Sequence, residues 1–276
     1  MEGGIHVYCI NLKHRADRWK RFSEQPEVDS IMKTYSFERF EGINGSALDI
    51  QKDARISLRT KRNIREHIRR DHEELDSAGG VGCYLSHTTV WKKFLERSEQ
   101  FAVVFEDDAT IPVGFMGQLQ RAMREVTLLP QTPDVWFFTA PLAWYYEYKG
   151  KPNPSASPTG PWITNTCGTF TGYMISRRGA ERLLETAFPI DMHVDMYTCL
   201  AGSLGRVYTV FNKNVAVKPY ALVQGDTDIQ VPSGCLICDV PTQYREKGIM
   251  VVNVPILLIS MGALMAMYYL GVKRRR

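Results

Sequence analysis

Phe101-Ala-Val-Val-Phe105 runs straight into Glu106-Asp107-Asp108, and the reading of these eight residues decides the fold. Five apolar residues without a polar interruption suit a short strand buried on both faces. Three consecutive carboxylates at its C-terminal end repel one another and raise one another's pKa unless a cation sits among them. Open α/β sheets bind ligands in the crevice beyond the carboxyl ends of their strands, so this is a natural position for a site. Hard oxygen ligands suit Mg²⁺ or Mn²⁺, which in turn would hold a diphosphate. A solvent-facing acidic turn and the metal centre of a phosphoesterase would use the same residues, and spacing does not separate these readings.

Outward from that strand, residues 5–12 (Ile-His-Val-Tyr-Cys-Ile-Asn-Leu) form another apolar, β-branched run, followed by a polar helix beginning near Lys13. Tyr35 to Ile43 suggests a second strand, with Gly42 and Gly45 punctuating the turn after it. Gly79-Gly-Val-Gly82 opens a helix whose Tyr84, Leu85, Thr88, Val90, Trp91, Phe94 and Leu95 are spaced to cover one buried face. Asp134–Thr139 and Thr169–Ile175 read as strands, and Ser176 to Ala187 as an N-capped helix. Strands alternating with helices predict an α/β domain with an open, mostly parallel sheet and flanking helices. Residues 141–165 hold five prolines with Trp144, Tyr145, Tyr146, Tyr148 and Trp162, an irregular aromatic loop.

The 276 residues carry 34 Lys+Arg against 30 Asp+Glu, a formal charge of +4, with 44% apolar and 23% charged residues. Those are ordinary globular values and exclude a wholly disordered chain, a collagen and a coiled coil. The basic excess is local. Lys52 to Arg70 holds eight basic and two acidic residues, leaving the remainder at −2. This stretch reads as a solvated helix face, with a patch beside phosphates or anionic headgroups as the alternative. Nucleic acid is a poor partner for a domain with no general basic footprint.

Six cysteines do not make a disulfide scaffold, and Cys9 and Cys83 read as small buried hydrophobes. Cys235-Leu-Ile-Cys238 is only half of a four-ligand zinc site. The N-terminus shows no secretory signal pattern. Ile249 to Val272 is 24 residues without a charge, closing on the basic tail 273–276. As a helix it spans about 36 Å against about 30 Å of hydrocarbon, so a single-pass transmembrane anchor is expected. The organisation read from sequence is a domain over 1–230, a linker over 231–248, the membrane helix over 249–272 and the tail. Four terminal positive charges favour a cytoplasmic C-terminus, while a tail-anchored protein with a cytosolic domain is the competing arrangement.

Several blocks together resemble the family 25 glycosyltransferases, which include lipooligosaccharide and procollagen galactosyltransferases. Ile10-Asn11-Leu12 with Arg15 and Arg18 is similar to their opening strand and helix. Gly82-Cys83-Tyr84-Leu85-Ser86-His87 with Trp91 is similar to their Gly-Cys-x-x-Ser-His…Trp helix, and Phe105-Glu106-Asp107-Asp108 to their Glu-Asp-Asp. Gly168-Thr169, Tyr173-x-Ile175-Ser176, Gly179-Ala180, Leu183-Leu184 and Pro189-Ile190-Asp191 follow in the family's order. The likeness covers roughly residues 5–230. The aromatic loop 141–165 and the C-terminal segment depart from it.

The resemblance implies a GT-A type nucleotide-diphospho-sugar transferase fold, a UDP-sugar donor with galactose or glucose, inversion at the anomeric carbon, and Mn²⁺ or Mg²⁺. Glu106 and Asp108, with Asp107 between them, would be the metal ligands. Asn11, Arg15 and Arg18, just past the first strand, would meet the donor, as would Ser86 and His87 near a helix N-terminus able to receive an anion. Asp226 and Asp228 fall where relatives carry a polar donor-side segment. An inverting displacement needs a base for the acceptor hydroxyl proton. Asp191 is the first choice, with an N-cap role as its alternative, and Asp195 the second. Trp144, Tyr146 and Trp162 would stack on a glycan, glycolipid or protein-linked acceptor. A catalytically inactive sugar-binding protein on the membrane and a phosphoesterase are the rival functions.

Overall fold

A strand turns successive side chains to opposite faces, and in β4 (Phe101–Glu106) that alternation supplies two separate cores. Phe101, Val103 and Phe105 enter one apolar cluster, Ala102 and Val104 the other. β1 (Ile5–Asn11), β6 (Val135–Phe137) and β8 (Gly172–Ser176) divide in the same way. Val7 and Cys9 lie opposite Tyr8, Trp136 opposite Val135 and Phe137, and Met174 opposite Tyr173 and Ile175. A run that is apolar at every position is thus a strand covered on both sides. The computed structural model describes residues 4–69, 71, 73–142, 161–219, 227, 229, 234–235 and 265.

With β2 (Ser36–Glu41), β7 (Trp162–Thr164) and β9 (Thr209–Asn212), these strands form a seven-stranded sheet in the order β2-β1-β4-β8-β6-β9-β7. β1–β2, β1–β4 and β6–β9 are parallel, whereas β4–β8, β6–β8 and β7–β9 are antiparallel. The sheet is therefore mixed rather than mostly parallel. A strand covered on both faces is apolar whichever way its neighbour runs, so periodicity carries no information about direction. The short strands are β3 (Ile68–Arg69) and β5 (Ala109–Thr110), the latter antiparallel to β10 (Lys218–Pro219).

One face is covered by α1 (Ala16–Ser23), α2 (Pro26–Thr34) and α5 (Phe115–Glu125) through Phe22, Val28, Ile31, Phe115 and Leu119. The other is covered by α3 (Leu58–Glu66), α4 (Ala78–Leu95), α6 (Arg177–Glu185) and α7 (Val194–Ser203). Ser77 caps α4 by accepting from Gly80 N at 3.0 Å, and Ser176 caps α6 by accepting from Gly179 N at 3.0 Å. α4 is not buried on one face alone. Gly80 to His87 are buried on nearly every side, with only the last turns opening to solvent. Its start accepts the loop at Ile43–Gly45 backbone against backbone. A Cβ on Gly45 would overlap the Ala78 carbonyl oxygen, and one on Gly82 the Ile43 carbonyl oxygen.

The basic stretch becomes α3 and its flanks, and its charges are largely neutralised in place. Arg55 pairs with Asp53, Arg59 with Asp191 and Glu74, Arg65 with Glu66, and Arg69 with Asp76. Cys167 and Cys199 form a disulfide, Cα atoms 5.1 Å apart, that ties the segment before β8 to α7. No spacing pattern in the sequence announces that pair. A second compact unit takes residues 70–72 and 234–276, of which 71, 234–235 (β11, Gly234–Cys235) and 265 are described. The expected anchor 249–272 lies outside the described residues apart from Met265. Among the described residues, no helix is long and apolar enough to cross a membrane.

Candidate active site

The pleat separates the three carboxylates. Glu106, the last residue of β4, shares the face of Val104 and meets α4. Its Oε1 accepts from His87 Nε2 at 3.0 Å and from Cys83 Sγ at 3.6 Å. Asp107 turns to the opposite side and accepts from Asn11 Nδ2 at 2.6 Å and Arg18 Nη1 at 3.3 Å. Asp108 has less help: Arg18 acts on it only through its charge, and its Oδ1 is buried without a hydrogen-bond partner among the described residues. Burial raises the Asp107 carboxyl, with Asn11 and Arg18 pulling it back. Burial, then the charges of Glu106 and Asp107, push the Asp108 carboxyl up to about 7.

These groups line a cleft of about 250 Å³. Its walls are Ile10 in β1, Leu12, His14 and Arg18 after it, the loop Gly42–Ser46, the α4 face of Gly79, Cys83, Ser86 and His87, and the neighbouring Thr227 and Ile229. An orphaned buried carboxylate oxygen beside two further carboxylates is a donor set of the kind a hard divalent cation completes, so Glu106 and Asp108 fit Mn²⁺ or Mg²⁺. Cys83, His87 and Glu106 also bring ligand atoms within 4.8 Å of one another.

The other expected site residues separate into those in the cleft and those spent elsewhere. Arg18 lines the cleft, whereas Arg15 forks onto Asp17 at 2.9 and 3.0 Å. Asn11 is 1% exposed: Nδ2 serves Asp107 and the Arg15 carbonyl, and Oδ1 accepts from Arg39 Nε at 3.0 Å. It braces the acid triplet through Asp107. Ser86 Oγ accepts from Ile43 N and donates to the Gly82 carbonyl, fastening α4 to the cleft loop. His87 is 0% exposed with both ring nitrogens engaged by protein. Both line the cleft, with their polar atoms engaged by protein partners.

Asp191 is held by the start of α3. Ile190 N donates to the Arg55 carbonyl at 2.7 Å, and the Asp191 carboxylate takes Ser57 Oγ at 2.7 Å and the Arg59 guanidinium. Asp191, like Asp195, is absent from the cleft lining, and the cap of the following helix is His193 rather than Asp191. Asp195 sits in the first turn of α7 and accepts from Met196 N at 2.8 Å. Burial, and further the charge of Glu106, push its carboxyl up to about 6, against the Met196 amide. Trp162 is 5% exposed in β7 with its ring 4.8 Å from Trp136, a core residue without a free face for a sugar. Trp144, Tyr146, Asp226 and Asp228 lie outside the described residues. Sequence reading missed His14, the loop 42–46, and Cys83 and Tyr173 as neighbours of Glu106. The turn glycines Gly42 and Gly45 marked the loop, and Cys83 and Tyr173 stood in the quoted motifs without a site role.

The raised carboxyls carry a pH signature. An acid whose folded pKa lies above its unfolded value binds its proton more tightly when folded. Its favourable contribution is therefore present below the unfolded value of 3.8 and lost as pH rises through about 6 for Asp195 and about 7 for Asp108. Buried His6, whose pKa is lowered, acts in the opposite sense over the same window. The difference between wild type and Asp108→Asn isolates the effect. In metal-free buffer the variant should gain melting temperature on wild type between pH 5 and pH 8, and a constant difference would contradict the strain.

The family described as Glycosyltransferase family 25 (LPS biosynthesis protein) matches residues 4–198. Procollagen galactosyltransferase 1-A of Xenopus laevis is 26% identical over 190 residues, covering 65% of this chain and 28% of the relative. Procollagen galactosyltransferase 2 of Homo sapiens is 24% identical over 195 residues, covering 66% and 28%. The matched region thus spans under a third of these longer proteins. Mouse xyloside xylosyltransferase 1 in its apo crystal form covers 76% of this chain and 84% of its own at 9% identity with a TM-score of 0.33, too loose a likeness to bear on function. The opening strand, the α4 glycines with Cys83, Ser86 and His87, and the acid triplet all fall inside the matched span, and the chain belongs to glycosyltransferase family 25.

Proposed function

We propose that the chain is a metal-dependent, inverting hexosyltransferase with a GT-A type domain, moving galactose or glucose from a UDP-sugar to a hydroxyl of a glycan, glycolipid or protein. The observation that carries this reading is the buried Asp108 Oδ1, unpartnered among the described residues, beside Glu106 and Asp107 at a strand end, inside a cleft. Mn²⁺ or Mg²⁺ held by Glu106 and Asp108 would act as a Lewis acid for the charge that builds on a departing diphosphate. Arg18 and His14 add cationic or donating groups to the same wall, while Asn11 and Arg18 keep Asp107 turned inward. Of the two candidate bases, neither of which is in the cleft lining, Asp195 is the one whose carboxyl feels the charge of Glu106, and it takes the acceptor hydroxyl proton as that oxygen attacks the anomeric carbon. A carboxyl at about 6 is largely ionised at neutral pH yet more basic than an ordinary aspartate. The relatives' names favour galactose, and the family description favours a glycolipid acceptor where theirs favour protein.

The full chain should release UDP from UDP-galactose or UDP-glucose when Mn²⁺ and an acceptor are present, and chelation should stop it. NMR of the product should show the anomeric configuration inverted. Metal-dependent hydrolysis of simple phosphate esters would replace this reading with a phosphoesterase. Donor binding without turnover on any glycan, lipid or peptide acceptor would replace it with a binding protein.

A further inference from the structure

Three buried side chains behind Glu106 form a row whose direction is set by chemistry. α4 carries His87 and Trp91 one turn apart, and β8 carries Tyr173 against them; none is more than marginally exposed. The Trp91 indole N–H can only donate, so at 2.8 Å the Tyr173 oxygen accepts it. The remaining Tyr173 hydroxyl proton has His87 Nδ1 within reach at 2.9 Å. With Nδ1 accepting, His87 carries its proton on Nε2 and donates it to Glu106 Oε1 at 3.0 Å. Cys83 Sγ, one turn before His87 on α4, adds a second donor to that same oxygen. Both donors converge on Oε1, while Oε2 has no protein partner among the described residues.

We infer that Trp91, Tyr173 and His87 are positioning residues: the row fixes the His87 tautomer, pins Glu106 through Oε1, and reserves Oε2 for the cation. This rests on the proposed metal role of Glu106 and Asp108. A polar row that served packing alone would move stability on its loss without touching metal affinity. Partners behind a metal ligand are worth roughly 10- to 100-fold in metal affinity.

The experiment reads Mn²⁺ binding directly, by the electron paramagnetic resonance signal of the free ion, on the full chain with a thermal melt of each variant. Tyr173→Phe deletes one oxygen with little change of shape. It should weaken Mn²⁺ binding by about tenfold or more, with kcat at saturating Mn²⁺ nearly kept. His87→Ala should weaken binding at least as much. His87→Gln, whose amide can present an N–H toward Oε1, should stay much closer to wild type. If His87→Ala does not fold, Tyr173→Phe and His87→Gln carry the comparison. Wild-type protein that binds no Mn²⁺ overturns the metal reading and this role with it. Wild type that binds Mn²⁺, with folded Tyr173→Phe binding it equally well, overturns the row alone.

Discussion

Asp108→Asn is expected to give a folded protein that transfers no measurable sugar. Its amide keeps the shape of the side chain but removes the charge that makes it a cation ligand. Loss of such electrostatic stabilisation at a departing diphosphate corresponds to a fall in kcat of at least about 10³-fold. Mn²⁺ binding should fall with it. The fold should not suffer, because the wild-type carboxyl is already held up to about 7 by burial and by two neighbouring carboxylates. Asp107→Asn makes the contrast. Its carboxylate is engaged by Asn11 and Arg18 and burial already raises it, so that variant should keep nearly the wild-type melting temperature and retain Mn²⁺ binding. Activity and Mn²⁺ titrations with melting curves separate the two, and full transfer by Asp108→Asn would remove the metal from the mechanism.

That contrast marks where sequence reading stops. The strand and its acidic end are visible because five uninterrupted apolar residues and three adjacent carboxylates are local facts. The split of the triplet is not local. It follows from the pleat only once α1 is known to cover one face and α4 the other, which puts Asp107 against Arg18 and Glu106 against His87. The protein partners of Asn11 and His87 are hidden from the sequence for the same reason. A polar residue in a motif beside a site looks the same in sequence whether it touches a ligand or braces a carboxylate. Trp162 shows the reverse error, since an aromatic in a proline-rich stretch looked available while Trp136 already covered it. The caps at Ser77 and Ser176 were easier, because a capping bond spans only three residues. The disulfide between Cys167 and Cys199, 32 residues apart, has no such local signal.

The two candidate bases divide in the same way, and exchanging each in turn decides between them. Asp195→Asn should lower kcat for transfer by roughly 10²- to 10⁴-fold, the range general-base catalysis supplies, while Mn²⁺ and donor binding persist. The acid limb of the wild-type kcat/KM profile should fall near the raised carboxyl, at about 6, and be missing from the variant's residual activity. Asp191→Asn should behave differently. Asp191 is clamped by Ser57 and by the forked guanidinium of Arg59. A carboxylate whose lone pairs already serve two donors is poorly disposed to accept a substrate proton. The pair is partly exposed, so its loss should cost only about 1 kcal/mol of stability and a modest part of kcat. If instead Asp191→Asn stops transfer while keeping donor and Mn²⁺, and Asp195→Asn turns over normally, the proton goes to Asp191. The clamp by Arg59 would then have to open before the acceptor could react.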